Sequence, residues 1–451
     1  MSDSTTPFLG GVVEGFYGRP WNPGQRRQLF AWLKAAGLNA YMYAPKDDIK
    51  HRALWREPYE GPEVEELRAL IRDCTAAGLQ FIYALSPGLD IRFSNPADRE
   101  ALKAKLAQVH GLGAPHFAVL WDDIPERLSE EDAREFGTPA AAQCAATNDA
   151  FTHVRQLSPT ARVLFCPTIY CGRFADHKVS ANEYLRLVGE KLAAEIDVLW
   201  TGPEIISETI PLESIRELRG VIRRRPLIWD NLHANDYDMR RLYLGPYSGR
   251  TLELRDELAG ILLNPNCQFE ANFVGIRTLG AYVNARHSYS PRAAYLEATE
   301  AWLPEFKSRG RATMSLADVR LMGDLYYLPT EQGERAQQFL DDLRALVRTP
   351  PNSWGEALAR CEQTGREIAA LYEKITELSN RDLCYALYAH LWEIKETVQL
   401  CGAWLRWRRE NPATTDRFAS GEFRNRIWRG GPAAIIDRLL TIDDEGRFIP
   451  N

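Results

Sequence analysis

Short apolar runs recur along the first two thirds of the chain, each closed by polar or turn-forming residues. Eight can be read: LGGVVEG at 9–15, NAYMYA at 39–44, QFIYALS at 80–86, HFAVLW at 116–121, RVLFCPT at 162–168, IDVLWT at 196–201, PLIWDN at 226–231 and GILLNP at 260–265. They are short and rich in branched and aromatic residues, as buried strands are. Between them lie amphipathic stretches such as QRRQLFAWLKAAG, EVEELRALIRDCTAAG and ESIRELRGVIRRR, which read as helices. Eight strand–helix units predict a parallel (β/α)8 barrel. A doubly wound open sheet competes, but no G-x-G-x-x-G follows the first run, and eight strands suffice to close.

Beyond about residue 290 the pattern changes to helical periodicity alone. PRAAYLEATEAWL and LADVRLMGDLYYL read as helices, and two longer ones follow. Leu358, Cys361, Gly365, Ile368, Tyr372 and Ile375 step by three and four, and so do Leu387, Leu391, Ile394, Val398, Cys401 and Leu405. Such stripes form packing seams, within one chain or between two. TPPNSW at 349–354 is a break between helices. The expected organisation is a tail at 1–7, a catalytic barrel at 8–290 and an all-α, stalk-like bundle at 291–451.

Composition narrows the function classes. A chain of 451 residues is long enough for two domains. The net charge of -6 and the lack of a long basic run argue against nucleic acid or a membrane surface as main partner. The opening MSDSTTPFLGG lacks a basic region followed by an apolar stretch, and no run is long enough to span a bilayer, so a cytoplasmic protein is expected. The eight cysteines are scattered without a CxxC, which suits free thiols in a reducing compartment.

Barrels of this type carry function at the carboxyl ends of their strands, where this sequence concentrates polar residues. The eight runs end in Glu14-Gly15-Phe16-Tyr17, Pro45-Lys46-Asp47-Asp48, Ser86-Pro87-Gly88, Asp122-Asp123, Cys166-Pro167-Thr168 with nearby Tyr170, Thr201-Gly202, Asp230-Asn231-Leu232-His233 through Asp236-Tyr237, and Asn264-Pro265-Asn266. Adjacent carboxylates in a partly dry pocket resist joint ionisation, so one pKa of the Asp122–Asp123 pair is expected to rise, as suits a general acid. Two consecutive acids can serve one face of a sugar, one holding its acetamido group and the other protonating the leaving oxygen. An Asp-Asp that merely ends a strand and caps the next segment is the plain alternative. A metal site built from Asp122, Asp123, Asp230, His233 and Asp236 is another, although neither H-x-H nor H-E-x-x-H is present. Asp47-Asp48 reads first as helix-start acids. Tyr17, Tyr170, Phe174, Trp200, Trp229 and Tyr237 are either barrel-top packing or surfaces on which a sugar and an acetyl methyl rest.

GVVEGFYGRPW, YAPKDD, LSPGLDIRFSN, WDDI, FCPTIYCG, LWTGP, IWDNLHANDYD and LNPNCQFEAN, spread in order over residues 8–286, closely resemble the motifs of glycoside hydrolase family 84, the O-GlcNAcases. The resemblance implies a (β/α)8 barrel and a retaining exo-β-N-acetylglucosaminidase that uses the substrate's own acetamido oxygen as nucleophile, through an oxazoline. By the same resemblance Asp122 orients the acetamido N–H, and Asp123 is the general acid and later the base. Gly15, through its backbone, and Lys46 meet sugar hydroxyls. Asn231 meets the acetamido oxygen, and Asp236 and Asn264 the distal hydroxyls. Tyr170, Cys166 and Trp229 wall the acetamido pocket, Tyr17 adds to the sugar site, and Phe174 and Tyr237 line a peptide rim. No metal and no cofactor are implied, and no room remains for an acetyltransferase-like domain. Expected partners are an O-GlcNAc-modified protein or a GlcNAc-containing glycan, with a second copy of the chain, through the C-terminal helices, as a further candidate. A hexosaminidase of glycans or cell-wall oligosaccharides, a glycoprotein-binding module without turnover and a metal-dependent deacetylase are the rival functions.

Overall fold

The computed structural model describes residues 7–125, 127–419, 430–443 and 447–450. The chain divides into two compact units.

The first unit comprises Met1–Asp236, Tyr247–Cys267 and Ile276–Ser290. Its strands are β1 (Leu9–Glu14), β2 (Ala40–Tyr43), β3 (Gln80–Leu85), β4 (His116–Leu120), β5 (Val163–Cys166), β6 (Asp197–Trp200), β7 (Leu227–Asp230) and β8 (Gly260–Leu263). They pair in sequence order, all parallel, and β1 closes on β8 with Val12 beside Leu263. Each strand lies inside one of the eight apolar runs read from the sequence. The ring of helices is α1 (Pro23–Ala35), α2 (Pro62–Ala76), α3 (Pro96–Gly111), α4 (Glu130–Phe136), α5 (Pro139–Leu157), α6 (Glu183–Lys191), α7 (Leu212–Ile222) and α8 (Phe273–Asn284), whose first residues belong to the second unit.

Alternate strand residues fill the barrel: Leu9 and Val13, Ala40 and Met42, Ile82 and Ala84, Ala118 and Leu120, Leu164 and Cys166, Leu227 and Trp229 share one core. The intervening residues face the helices, as Tyr41 does where its ring lies 5.1 Å from Phe30 of α1. Both faces are dry, so the strands read as continuous apolar runs without polar alternation. Helix starts follow from capping chemistry: Asn22 forms a capping box with Gln25 ahead of Pro23, and the Thr138 hydroxyl accepts from Ala141 N ahead of Pro139.

The second unit comprises Tyr237–Pro246, Gln268–Gly275 and Pro291–Asn451. It contains α9 (Pro291–Trp302), α10 (Leu316–Leu325), α11 (Glu334–Arg348), α12 (Gly355–Thr376), α13 (Arg381–Glu410) and α14 (Gly431–Leu439). The two stripes meet within the chain. Cys361, Ile368 and Ile375 are buried on α12, and Leu387, Leu391, Ile394 and Val398 on α13. A Cβ added to Gly365 would lie 3.1 Å from Val398, so this glycine lets the helices close up. α13 also exposes Tyr385, Tyr388 and Trp392. A short antiparallel pair, β9 (Leu440–Ile442) and β10 (Phe448–Pro450), adds to the helical bundle, a feature too brief to register as a sequence period. No helix among the described residues is long and apolar enough to cross a membrane.

Candidate active site

The barrel's period of two sends Leu120 inward, Trp121 outward and Asp122 inward again at the end of β4. Trp121 is fixed from both sides: its ring nitrogen donates to Thr147 Oγ1 of α5 at 3.1 Å, its backbone N to Cys166 O at 2.9 Å, and its carbonyl accepts from Thr168 Oγ1 at 2.8 Å. Asp122 is therefore buried, and its Oδ2 accepts from Lys46 Nζ at 2.6 Å. Its Oδ1 is buried with no hydrogen-bond partner.

The expected rise in pKa is corrected for Asp122, which goes the other way. Burial, the largest influence, pushes it up, but the Lys46 charge and hydrogen bond, with Arg52, outweigh burial and hold it below the usual carboxylate range. Like-charge repulsion loses because a cation sits in contact with the buried member of the pair.

Asp123 is placed differently. Its backbone turns into the left-handed region at φ 51° and its side chain is exposed. One oxygen accepts from Tyr17 OH at 3.0 Å, the other from Tyr170 OH at 3.1 Å. Burial first and then the Asp123 charge push both phenols well above their ordinary values. Tyr17 N donates to Asp236 Oδ2 at 2.8 Å, so Asp236 holds the loop after β1 to the same site. Tyr170 also packs edge-on against half-exposed Phe174, with centroids 4.9 Å apart.

The opposite strands supply a second connected set. Trp229 Nε1 donates to Asn231 Oδ1 at 3.1 Å, which also accepts from Asn264 Nδ2 at 2.9 Å, while Asn231 Nδ2 donates to Ile205 O at 2.8 Å. Asn264 Oδ1 is buried and unpartnered, a second polar atom left open. Gly15 makes room for this arrangement: a Cβ there would lie 2.3 Å from Trp229 Cζ2. Lys46 Nζ joins the two sets, 5.7 Å from the Tyr17 ring and 5.9 Å from the Trp229 ring. The Cys166 thiol is buried in the barrel core, its pKa raised by burial and then by Asp122.

Gly15, Tyr17, Lys46, Asp122, Asp123, Cys166, Tyr170, Phe174, Trp229, Asn231, Asp236 and Asn264 thus occupy one neighbourhood of the first unit. Tyr237 belongs to the second unit, where it is half-exposed and bonded to Tyr243 OH at 2.6 Å.

Other strand-end acids are structural. Asp230 is fully buried and accepts from both Arg250 Nε and Nη2, at 2.8 and 2.7 Å, and from Tyr247 OH. Its carboxylate is committed to a guanidinium, which removes it from any metal set. Asp48 accepts from Tyr43 and Tyr59 hydroxyls and from the backbone of Lys50 and His51, so it folds the turn after β2. Among the described residues no cluster of three or more His, Cys, Asp or Glu is placed to hold a metal ion. Sequence reasoning missed His51 and Arg52, both buried beside Asp122. His51 Nδ1 faces Ala84 O at 2.7 Å, and burial, then the Lys46 charge, pushes its pKa down to about 4, so the ring is neutral. The only sequence signal was position: both follow Lys46 within six residues, in a charged segment that resembles a solvated turn.

A family model described as beta-N-acetylglucosaminidase matches residues 10–317. The chain is 53% identical over 275 residues to the Protein O-GlcNAcase of Rattus norvegicus and, equally, to that of Mus musculus. Each match takes in 61% of this chain and 30% of the relative, so the matched part spans less than a third of those proteins. Among solved structures, an O-GlcNAc hydrolase variant from Thermobaculum terrenum superposes with a TM-score of 0.79 at 26% identity, over 90% of this chain and 85% of that one.

Proposed function

Because the chain belongs to the beta-N-acetylglucosaminidase family, we propose that it is a retaining exo-β-N-acetylglucosaminidase that removes O-linked N-acetylglucosamine from serine and threonine of proteins by substrate-assisted catalysis. The observation that carries this is the unlike treatment of two consecutive carboxylates: Asp122 buried on an ammonium with one oxygen open, Asp123 exposed between two phenols.

Asp122, held ionised by Lys46, accepts the acetamido N–H on its open oxygen. That contact makes the carbonyl oxygen more nucleophilic and points it at the anomeric carbon. The second N–H of Asn231 Nδ2 steadies the same oxygen, and Trp229, Tyr170 and Cys166 enclose the methyl. Asp123 protonates the leaving oxygen and then takes a proton from the water that opens the oxazoline, with net retention. Intramolecular attack contributes up to about 7–11 kcal/mol where orientation is good, and positioned acid catalysis about 10²–10⁴-fold. Orientation by Asp122 and Asn231 is the larger effect. Lys46, Asp236, Asn264 and the Gly15 backbone bind the sugar hydroxyls, with Phe174 as an aromatic surface for a peptide. The protein substrate is inferred from the two mammalian relatives, each a Protein O-GlcNAcase, and serine or threonine from the aliphatic hydroxyl that an O-linked sugar needs. The eight free cysteines fit a reducing, cytoplasmic setting.

Asp123→Asn tests the assignment. It is expected to lose about 10²–10⁴-fold on a sugar with a poor leaving group and far less on an activated phenol. Equal losses on both would remove Asp123 from the acid role. Measuring a glycopeptide against a chitobiose-type sugar decides between protein and glycan substrates, and bound glycopeptide without released sugar would favour a binding module.

A further inference from the structure

We infer that Arg52 is a positioning residue for the reaction proposed above, clamping the main chain of Asp123 to the end of β3 and so fixing where the acid carboxylate stands. The inference rests on the glycosidase reading for its kinetic consequence, not for its geometry.

Asp123 is in the left-handed region, which aspartate enters more readily than most residues but still at some cost, so contacts that hold its main chain matter. Its carbonyl accepts from Arg52 Nη2 at 2.8 Å. Arg52 Nη1 donates at 3.3 Å to Ser86 Oγ, the first residue after β3. One guanidinium therefore ties the turn after β2 to the ends of β3 and β4, using its rigid fork to meet two acceptors at once. The base of the clamp is itself fixed: Ser86 N donates to His51 O at 2.9 Å, and the neutral His51 ring donates from Nδ1 to Ala84 O at 2.7 Å. From the β3 side, Gly88 packs so tightly on Ile124 that an added Cβ would lie 2.6 Å from its Cγ2. Asp123 is thus held through its own carbonyl and through its following residue.

Arg52 is buried, and no carboxylate forms an ion pair with it among the described residues. Arg250, the other buried arginine among the described residues, is by contrast paired with Asp230. Arg52 instead spends its donors on a carbonyl and a hydroxyl. Its charge lies 6.0 Å from the centroid of the Tyr17 ring, whose hydroxyl donates to Asp123. One residue therefore bears on the main chain of Asp123 and on one of its two phenol partners, while its charge adds to that of Lys46 in holding Asp122 ionised; Arg52→Lys keeps that charge, so the loss it still shows belongs to the clamp.

The test compares Arg52→Met and Arg52→Lys with the parent chain on a poor and an activated leaving group, with melting curves and crystal structures of each. Arg52→Met is expected to lose kcat on the poor leaving group by about 10²-fold, the scale of an ångström misplacement, with a several-fold smaller loss on the activated one and little change in KM. Arg52→Lys keeps the charge but cannot fork, and is expected to recover part of the loss. Equal losses on both leaving groups, or losses that follow the melting temperature alone, overturn the inference. Should Arg52→Met not fold, Arg52→Lys must still show the unequal loss, and its absence counts against the clamp. A parent chain inactive on both sugars would defeat the glycosidase reading alone. The crystal structures would still judge the clamp, which fails if Asp123 keeps its left-handed backbone and both phenol contacts without Arg52.

Discussion

Lys46→Met breaks a buried ion pair, and its effect follows from the geometry. The Lys46 side chain is 3% exposed and that of Asp122 9%, with 2.6 Å between charged atoms. Removing one partner strands a charge away from water, at a cost of about 3–5 kcal/mol. At about 2–4 °C per kcal/mol for a unit of this size, the apparent melting temperature at pH 7 should fall by roughly 6–20 °C. Lys46→Met with Asp122→Asn removes both charges, so its destabilisation should fall short of the sum of the single changes by about 2–3 kcal/mol. The pH dependence has a fixed sign. In the parent chain the Asp122 pKa is depressed, so its contribution to stability is present above the unfolded value near ~3.9 and is lost as pH falls through the folded value. Without Lys46 the largest remaining influence is burial, which raises the folded pKa above the unfolded one. Stability of the variant then declines as pH rises through that raised value, and the gap between the two melting curves widens from pH 4 to pH 8. The assay is melting temperature against pH for all four chains. Additive destabilisation, or a gap constant with pH, would refute the electrostatic account of Asp122. Activity should stay lost in the double variant even where stability returns, because the proposed acetamido ligand is gone.

Gly15→Ala puts a Cβ 2.3 Å from Trp229 Cζ2, so the ring must retreat by about 1 Å to reach ordinary contact. It should destabilise by about 1–3 kcal/mol and weaken kcat/KM by breaking the Trp229–Asn231 hydrogen bond; unchanged kinetics and tryptophan fluorescence would contradict this. For assembly, Tyr385, Tyr388 and Trp392 are each exposed at helical spacing on α13, and they are the residues to change in testing whether two copies of the chain meet through the C-terminal helices. Sedimentation velocity should show a dimer that Trp392→Glu weakens, and a monomeric parent chain would end that reading.

The fold was readable because its strands are dry on both faces. Each became a compact apolar run, and eight runs separated by amphipathic segments admit few architectures. In the second unit, Gly365 and Val398 show why the stripes did not disclose whether one chain or two formed the seam. Periodicity gives the apolar face of a helix, and only the packing of that face shows its partner.

The site was partly readable for a sharper reason. Counting by twos from a core residue in each strand reaches Gly15 from Val13, Lys46 from Ala44, Asp122 from Leu120, Asn231 from Trp229 and Asn264 from Leu262. The same count turns Glu14 and Asp230 away from the barrel, and both are spent on arginines, Glu14 on Arg26 and Asp230 on Arg250. On these strands parity therefore separates the proposed binding groups from the structural locks. It stops where the chain turns. Asp123 leaves the count by adopting a positive φ, and Tyr17, Tyr170 and Asp236 reach the site from loops. Their places came from motif resemblance and not from periodicity. His51 and Arg52 had neither signal, since they sit in a turn whose charged sequence gives no sign of burial. The residues that orient the proposed chemistry are thus recoverable from the barrel's period, while those that hold the acid in place emerge only once the turns after β2 and β4 are seen side by side.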